Sequence, residues 1–407
     1  MSTELQPERL KSLDQFRGYS VAAMFVVNFL GGMTMTHQLL RHNNTHFSYA
    51  DSIMPSFLFA CGFSYRLSFL KQLEKLGETG TGVRFIKRSL GLILLSMMLY
   101  GFNSKIVSWS EISVERATRF VLEWLKADLW EVLAIIGAIQ IVLLPWIARG
   151  TWTRVLVFLV FGLLHAILSW LFNYEFVYGR PNGMDGFFGA TGKRAWDGGC
   201  FGLIAWAQIM LAGTLAFDAL KCFPQRKAIG TLFTMGAVLM LAGYALLSVA
   251  TLYNLEGLSE EQSLKIRSSP VVPDFSVVQG RSWDSFLAEP PFVPPPPPAM
   301  RAPSYWAMDK RVVTQSFVLF STGFAFALFG CFVVACDSLG FGLRVFEMFG
   351  KNPLASYIIH HFVTHTLLAV VPKDSPLLWC LIGLAMSFGI TYLFVRFLES
   401  RNLYLRL

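Results

Sequence analysis

The sequence predicts an all-α polytopic membrane protein, with about ten transmembrane helices in one bundle and long extracytoplasmic loops. Of its 407 residues, 54% are hydrophobic and only 15% are charged, and the mean hydropathy is +0.51. Soluble domains carry about 25% charged residues, so an assembly of soluble domains is excluded. The long apolar runs favour helices, because a helix satisfies its own backbone hydrogen bonds in lipid.

Each predicted span is a mainly apolar run of about 20 residues, the length that crosses the hydrocarbon core. The spans cover about 18–36, 52–70, 86–102, 129–148, 153–172, 200–220, 228–252, 313–336, 353–371 and 376–397. The N-terminal segment before them is polar, so we expect no cleavable signal peptide. Residues 1–407 are predicted to form one transmembrane domain, in which 253–312 is an extracytoplasmic proline-rich insertion.

Basic residues set the predicted orientation of the chain. They are dense in the short connections on the side of the N-terminus, as at Arg84, Lys87 and Arg88 before the third span. Lysine and arginine in short loops mark the cytoplasmic side, so both termini are expected in the cytoplasm. The net charge of +8 has the same explanation, and no nucleic-acid partner is predicted.

Three long segments are expected on the opposite side of the membrane. Residues 103–128 are typical of an amphipathic helix, 173–199 are rich in glycine, and 253–312 contain the run Pro294–Pro298. A proline run favours an extended, stiff segment, and a surface spacer is its simplest interpretation.

The histidines are the main candidates for acid–base chemistry, because neutral imidazole titrates near physiological pH. On the predicted topology all seven fall in the outer half of the protein: His37, His42, His46, His165, His360, His361 and His365. The last two are four residues apart and share a helix face. For any single histidine, a packed or interfacial role is the alternative interpretation.

The sequence does not favour a metal or a disulfide framework. The six cysteines form no CxxC pair, and the histidines lack carboxylate partners at the spacing of known metal motifs. No metal site is therefore expected. The motifs of soluble nucleotide-binding and α/β-hydrolase enzymes are likewise missing from the sequence.

Polar groups crowd the first predicted hairpin, where ionisable residues at membrane depth are candidate functional residues. Arg17 either binds a phosphate or pairs with Asp14, and Asp51 either caps the second helix or takes part in catalysis. Asn28 is predicted to be buried and to need hydrogen-bond partners. It either joins two helices or polarises an acyl carbonyl.

Several motifs of the chain resemble the heparan-α-glucosaminide N-acetyltransferase family of transmembrane acyltransferases, in its bacterial type. The resemblance rests on Ser12–Gly18, Asn28 with Gly31-Gly32, Ala50–Phe59 with Gly62, Thr314–Phe320 with Gly323, and Phe349–Tyr357. It covers most of the predicted membrane portion and is weak in the outside loops. It implies a multi-pass protein of the bacterial inner membrane.

The resemblance also implies an activity and a set of site residues. Acetyl-CoA from the cytoplasm would donate its acetyl group to an amine or hydroxyl of an extracytoplasmic glycan. His42, Asn28 and Asp51 would be catalytic, with His37 as the alternative histidine, because the family's Trp and Gly near this position are replaced here. The phosphates of acetyl-CoA would meet basic groups near the cytoplasmic mouth, and the candidate cofactor-binding residues are Arg17, Asp14, Lys87 and Arg88.

The sequence leaves two other classes of function open. One is a transporter of a small polar solute, although no inverted repeat is visible. The other is a catalytically inactive envelope scaffold, which the altered motif around His42 keeps open. The expected partners are the lipid bilayer, an acyl-CoA and a glycan acceptor, and a homodimer is compatible with the sequence.

Overall fold

The computed structural model describes residues 10–100, 108–189, 192–278 and 283–405. Within these ranges the secondary structure is helical, apart from an isolated antiparallel bridge between Asn254 and Arg301. The principal helices are α1 (Lys11–Leu30), α2 (Tyr49–Tyr100), α3 (Val114–Glu123), α4 (Val132–Leu143), α5 (Thr151–Tyr178), α6 (Gly199–Cys222), α7 (Gln225–Tyr253), α8 (Glu260–Arg267), α9 (Gln315–Ser338), α10 (Arg344–Lys351), α11 (Pro353–Leu368) and α12 (Leu377–Ser400). The helix α3 confirms the amphipathic helix that the sequence predicts within 103–128; residues 101–107 lie outside the described ranges.

Five of the described helices are long and apolar enough to cross a membrane, namely α5, α6, α7, α9 and α12. The protein is thus a helical integral membrane protein, but its described helices do not give the predicted count of ten. The remaining predicted spans differ from a plain apolar helix in two ways. Polar and charged side chains lower the hydropathy of α1 and α2, whereas α4 and α11 have only 12 and 16 residues.

The helix α2 is a hairpin rather than a rod. It breaks at Gly77, whose φ of 67° and ψ of −178° suit glycine. A straight helix would separate residues 65 and 85 by about 30 Å, yet the ring centroids of Tyr65 and Phe85 are 5.1 Å apart. The first arm (residues 49–76) and the second arm (residues 78–100) correspond to the predicted spans 52–70 and 86–102, whose last two residues lie outside the described ranges.

Glycines let the backbones of neighbouring helices touch in the core. A Cβ atom placed on Gly62 of the first arm would lie 1.9 Å from the carbonyl oxygen of Met210 in α6. A Cβ atom on Gly18 of α1 would likewise lie 1.7 Å from the carbonyl oxygen of Phe346 in α10. These contacts fix α1 and the first arm, which carry the polar groups of the predicted site.

The long loops meet at one end of the bundle, here called the loop end. The Thr34 amide donates to the Lys373 carbonyl at 2.8 Å, and the Phe47 amide donates to the Pro291 carbonyl at 2.7 Å. The insertion is therefore held against the first loop at Pro291, while Pro294, Pro297 and Pro298 of the following proline run are exposed at the surface. The opposite end, called the amino-terminal end, holds Lys11, whose ammonium group donates to the Gly340 carbonyl.

Candidate functional site

A histidine and a buried carboxylate are in contact at the loop end. The Nδ1 atom of His42 lies 2.9 Å from Oδ1 of Asp51. Asp51 is 1% exposed, whereas the His42 side chain is 36% exposed. The other carboxylate oxygen of Asp51 accepts hydrogen bonds from the Asn43 amide at 3.2 Å and the Ser48 amide at 3.3 Å. The Nδ1 atom of the imidazole is thus held by Asp51, and about a third of the His42 side chain is exposed at the loop end.

The local sequence explains where Asp51 lies. Ser48 precedes α2 and Asp51 is its third residue, so the two form a reciprocal cap at the start of the helix. The Asp51 amide donates to Ser48 Oγ at 3.3 Å, while the Asp51 carboxylate accepts from the Ser48 amide. A carboxylate in the first turn also interacts favourably with the helix dipole. The predicted capping role of Asp51 is therefore present together with its contact to His42.

The loop around His42 is fixed by a second set of hydrogen bonds. The guanidinium group of Arg41 donates to the carbonyls of Met33 at 2.7 Å and Thr34 at 2.9 Å. The Arg41 carbonyl in turn accepts from Ser48 Oγ at 2.8 Å. Since Arg41 is adjacent to His42, these contacts restrain the backbone that carries the imidazole.

The other histidines of the first loop have different surroundings. His37 is exposed, and its Nδ1 atom accepts from the Leu39 amide at 3.3 Å at the start of a 3₁₀ turn. The ring of His46 is near Thr45 Oγ1, at 3.2 Å. Burial lowers the pKa of His46; the Asp51 carboxylate opposes this shift, and Arg301 adds to it. The contact with Asp51 distinguishes His42 from His37, the alternative predicted from sequence.

The prediction that Asn28 is buried is wrong. Asn28 is exposed near the end of α1, although its neighbours Val27 and Phe29 are buried. The sequence showed an amide within an apolar run but not which face of α1 other helices cover. The Asn28 amide therefore lies outside the packed core of the bundle.

The candidate phosphate-binding residues lie toward the amino-terminal end. Arg17 pairs with Asp14 and also donates to Ser64 Oγ at 3.4 Å, so the predicted pairing is present. Arg17 and Arg88 both lie close enough to the Cys61 side chain to interact with it electrostatically. Arg84 also lies close enough to Arg88 to interact with it electrostatically. We call Arg17, Arg84 and Arg88 the basic cluster; the fourth predicted residue, Lys87, is exposed beside it.

Comparison with known proteins assigns the family. A family model described as heparan-alpha-glucosaminide N-acetyltransferase, catalytic, matches residues 9–247. The chain belongs to this family. The match includes α1, both arms of α2 and the loop with His42, and it makes this protein a membrane enzyme of the N-acetyltransferase type. No curated protein matches the chain.

The N-acetyltransferase fold also contains a buried charge cluster that the sequence did not reveal. Asp218 of α6 accepts hydrogen bonds from Arg66 Nε at 3.2 Å, from Arg154, and from Thr151 Oγ1 at 3.1 Å. The Arg154 Nη1 atom also donates to Thr214 Oγ1 at 2.6 Å. These contacts join α2, α5 and α6, so we assign this cluster a structural role.

Histidines outside the first loop fall into two groups. His165 and His360 are buried among other side chains: Nδ1 of His165 lies 3.0 Å from Tyr305 Oη, and the His360 ring stacks on Phe25. His361 and His365, which the sequence places on one helix face, instead line a cavity at the loop end. Within the described ranges, no three or more His, Cys, Asp or Glu side chains are grouped as a metal site would require.

Proposed function

We propose that this family member transfers an acetyl group from cytoplasmic acetyl-CoA to an amine or hydroxyl of an extracytoplasmic glycan, with His42 as the catalytic histidine. The contact between His42 and Asp51 is the observation that carries the proposal. An Nδ1–H group that donates to Asp51 leaves the lone pair on Nε2 of His42 free to accept a proton. A buried carboxylate that orients an imidazole in this way is the arrangement found in acyl-transfer sites.

The chemical step follows from that arrangement. The acceptor nitrogen or oxygen attacks the thioester carbonyl while its proton passes to Nε2 of His42. The tetrahedral intermediate then collapses with cleavage of the carbon–sulfur bond, and His42 returns the proton to the leaving thiolate of CoA. A second route, in which His42 carries the acetyl group as an acyl-imidazole, uses the same geometry. The exposed Asn28 amide is suited to donate to the developing oxyanion.

The donor would approach from the amino-terminal end. The basic cluster provides positive charge there for the phosphates of CoA, and Arg groups are well suited to phosphate. Along α1, Arg17 and Asn28 are eleven residues apart, a rise of about 16 Å. An extended pantetheine arm would run over this distance toward His42.

The membrane topology belongs to the same proposal. Besides the five long apolar helices, we assign membrane crossings to α1, the two arms of α2, α4, and α10 with α11, which gives ten. An even number places both termini on one side, and the basic loops make that side cytoplasmic. The amino-terminal end then faces the cytoplasm, and the loop end faces the periplasm of a bacterial inner membrane.

The test is turnover of radiolabelled acetyl-CoA by the purified full-length protein in detergent. We expect saturable binding together with transfer or slow hydrolysis, and loss of turnover with retained binding in His42→Ala. The matched control is His37→Ala in the same loop, which should keep turnover. Full turnover by a folded His42→Ala variant would refute the assigned role. Absence of acyl-CoA binding by folded protein would refute the donor and favour transport or a scaffold role.

A further inference from the structure

Part of the proline-rich insertion lies along the side of the helix bundle. Residues 287–293, here called the wedge, come directly before the run Pro294–Pro298. The Ala288 amide donates to Ser248 Oγ of α7 at 3.3 Å, and the Ala288 carbonyl accepts from Tyr244 Oη of the same helix at 2.7 Å. These two hydrogen bonds attach the wedge to the flank of α7.

Two contacts give the level of the wedge along the helices. Ser248 lies five residues before Tyr253, where α7 ends, which corresponds to a rise of about 8 Å. On the other side, the ring of Phe292 lies 5.6 Å from that of Phe320, which is five residues after Gln315 at the start of α9. Both helices are long and apolar enough to cross the membrane, and their apolar residues fill the hydrocarbon core. The wedge therefore lies inside the ends of two membrane helices, near the border of that core.

The face of α7 next to the wedge is exposed and apolar. Leu241 is three residues before Tyr244, so the two share a helix face, and Leu241 is 67% exposed. On a helix that crosses the membrane, an exposed leucine faces lipid, because contact with water would be unfavourable. The wedge continues this lipid-facing surface toward the loop end.

The side chains of the wedge are themselves mostly apolar and exposed. Leu287, Phe292 and Val293 are 65%, 51% and 42% exposed. An exposed apolar patch of this kind marks an interaction surface. The charged residue of the wedge, Glu289, is also exposed. A carboxylate is costly at the centre of a bilayer, so Glu289 limits the wedge to the membrane interface.

The backbone of the wedge has few polar groups that require water. Pro290 and Pro291 have no N–H group. The Val293 amide donates to the Pro290 carbonyl at 2.8 Å, and the Pro291 carbonyl accepts from the Phe47 amide at 2.7 Å. Irregular backbone is tolerated in lipid only where protein satisfies its polar groups. The prolines thus remove donors that would otherwise favour contact with water.

We propose that the wedge inserts into the lipid leaflet at the loop end, with Leu287, Phe292 and Val293 among the acyl chains next to the headgroups. Interfacial segments enter a leaflet to a depth of about 5–10 Å. The inference does not depend on acetyl transfer, because it requires only that α7 and α9 cross the membrane. It gives the insertion a role beyond that of a spacer: the segment that holds Phe47 of the first loop is itself anchored in the bilayer.

Wild-type full-length protein in phospholipid nanodiscs tests this inference without any substitution. Leu264 of α8 is the matched control, because it belongs to the same insertion and is 64% exposed. Its neighbour Ile266 lies in one apolar cluster with Tyr253, at the very end of α7. Hydroxyl radicals generated in water should oxidise Leu287 about tenfold more slowly than Leu264, because little water enters the hydrocarbon region. A lipid-soluble diazirine should label the wedge and leave α8 unlabelled.

Peptide mass spectrometry measures both modifications. Equal oxidation of Leu287 and Leu264 would show that the wedge lies in water. Protection of the wedge from both reagents would show that protein covers it. Either result would overturn the proposal.

A charge placed in the wedge gives an independent check. Leu287→Asp should lower the unfolding temperature in nanodiscs by several degrees, because the new carboxylate must leave the lipid or take up a proton. Leu264→Asp should lower it less, and equal shifts for the two variants would contradict the proposal. If Leu287→Asp does not fold, the oxidation and labelling of the wild type still decide the question.

Discussion

The amide of Phe47 donates a hydrogen bond to the carbonyl of Pro291, and this 2.7 Å contact ties the proline-rich segment to the loop that carries His42. Phe47 is 1% exposed, and its ring lies 6.0 Å from that of Phe292 and 5.1 Å from that of Phe320. The next residue, Ser48, is hydrogen bonded to Asp51. A segment more than two hundred residues away in the sequence thus supports the geometry of the contact between His42 and Asp51.

The first prediction concerns this support. Phe292→Ala removes a ring that is 51% exposed, so the cost in stability should be small, but Phe47 loses a neighbour. We expect kcat to fall several-fold while KM for acetyl-CoA stays unchanged, since only the position of His42 becomes less defined. Phe292→Leu should restore part of kcat. The control is Phe275→Ala, an exposed position in the same insertion; an equal loss of kcat there would contradict the prediction.

The second prediction tests the carboxylate. Asp51→Asn keeps a side chain that can accept hydrogen bonds at the start of α2, but it removes the charge that faces His42. We expect kcat to fall by about 10²-fold or more, because the imidazole loses the partner that fixes its tautomer. Steady-state kinetics with acetyl-CoA measure the effect, and Asp274→Asn in an exposed loop is the control. A kcat close to that of the wild type would mean that Asp51 acts only as a helix cap.

The sequence predicts the capping position of Asp51 because that signal is local: the carboxylate lies at the start of an apolar run. The choice of His42 as the catalytic residue rests on the family resemblance rather than on a local pattern. The crowding of polar groups in the first hairpin is also visible in the sequence, because these residues are close together along the chain. His37 is the alternative because the family's Trp and Gly near His42 are replaced in this sequence. Which histidine contacts the carboxylate depends on the loop conformation, which the sequence does not show.

Other features depend on tertiary packing and leave no local pattern. The exposure of Asn28 is set by which helices cover α1, and apolar neighbours in sequence do not reveal it. The two arms of α2 match two predicted spans, but the sequence does not show that the chain turns at Gly77. The cavity at the loop end that His361 and His365 line is also lined by Tyr100 and Glu131, so its walls come from residues up to 261 positions apart along the chain. No periodic pattern within a single helix predicts such a cavity.

The third prediction concerns the close contact of α2 and α6. Gly62→Ala places a methyl group 1.9 Å from the Met210 carbonyl oxygen, so the two backbones must move apart. We expect a loss of about 1–3 kcal/mol in stability, measured as a lower unfolding temperature in detergent. Gly82→Ala is the matched control, since a Cβ atom there meets nothing within 4 Å. A helical glycine replaced by alanine in open space should be neutral or stabilising. Equal unfolding temperatures for the two variants would show that the close contact at Gly62 does not contribute to stability.

The last prediction concerns donor binding by the basic cluster. Arg88→Gln removes one positive charge near Arg17 without adding a group of opposite charge. We expect KM for acetyl-CoA to rise about tenfold with kcat unchanged, because a phosphate contact contributes equally to the ground state and the transition state. The effect should shrink at high ionic strength, which screens exposed charges. Lys71→Gln, an exposed position on the first arm of α2, is the control for net charge. If Arg88→Gln lowered kcat and left KM unchanged, the cluster would not be the phosphate site, and the donor would have to enter elsewhere.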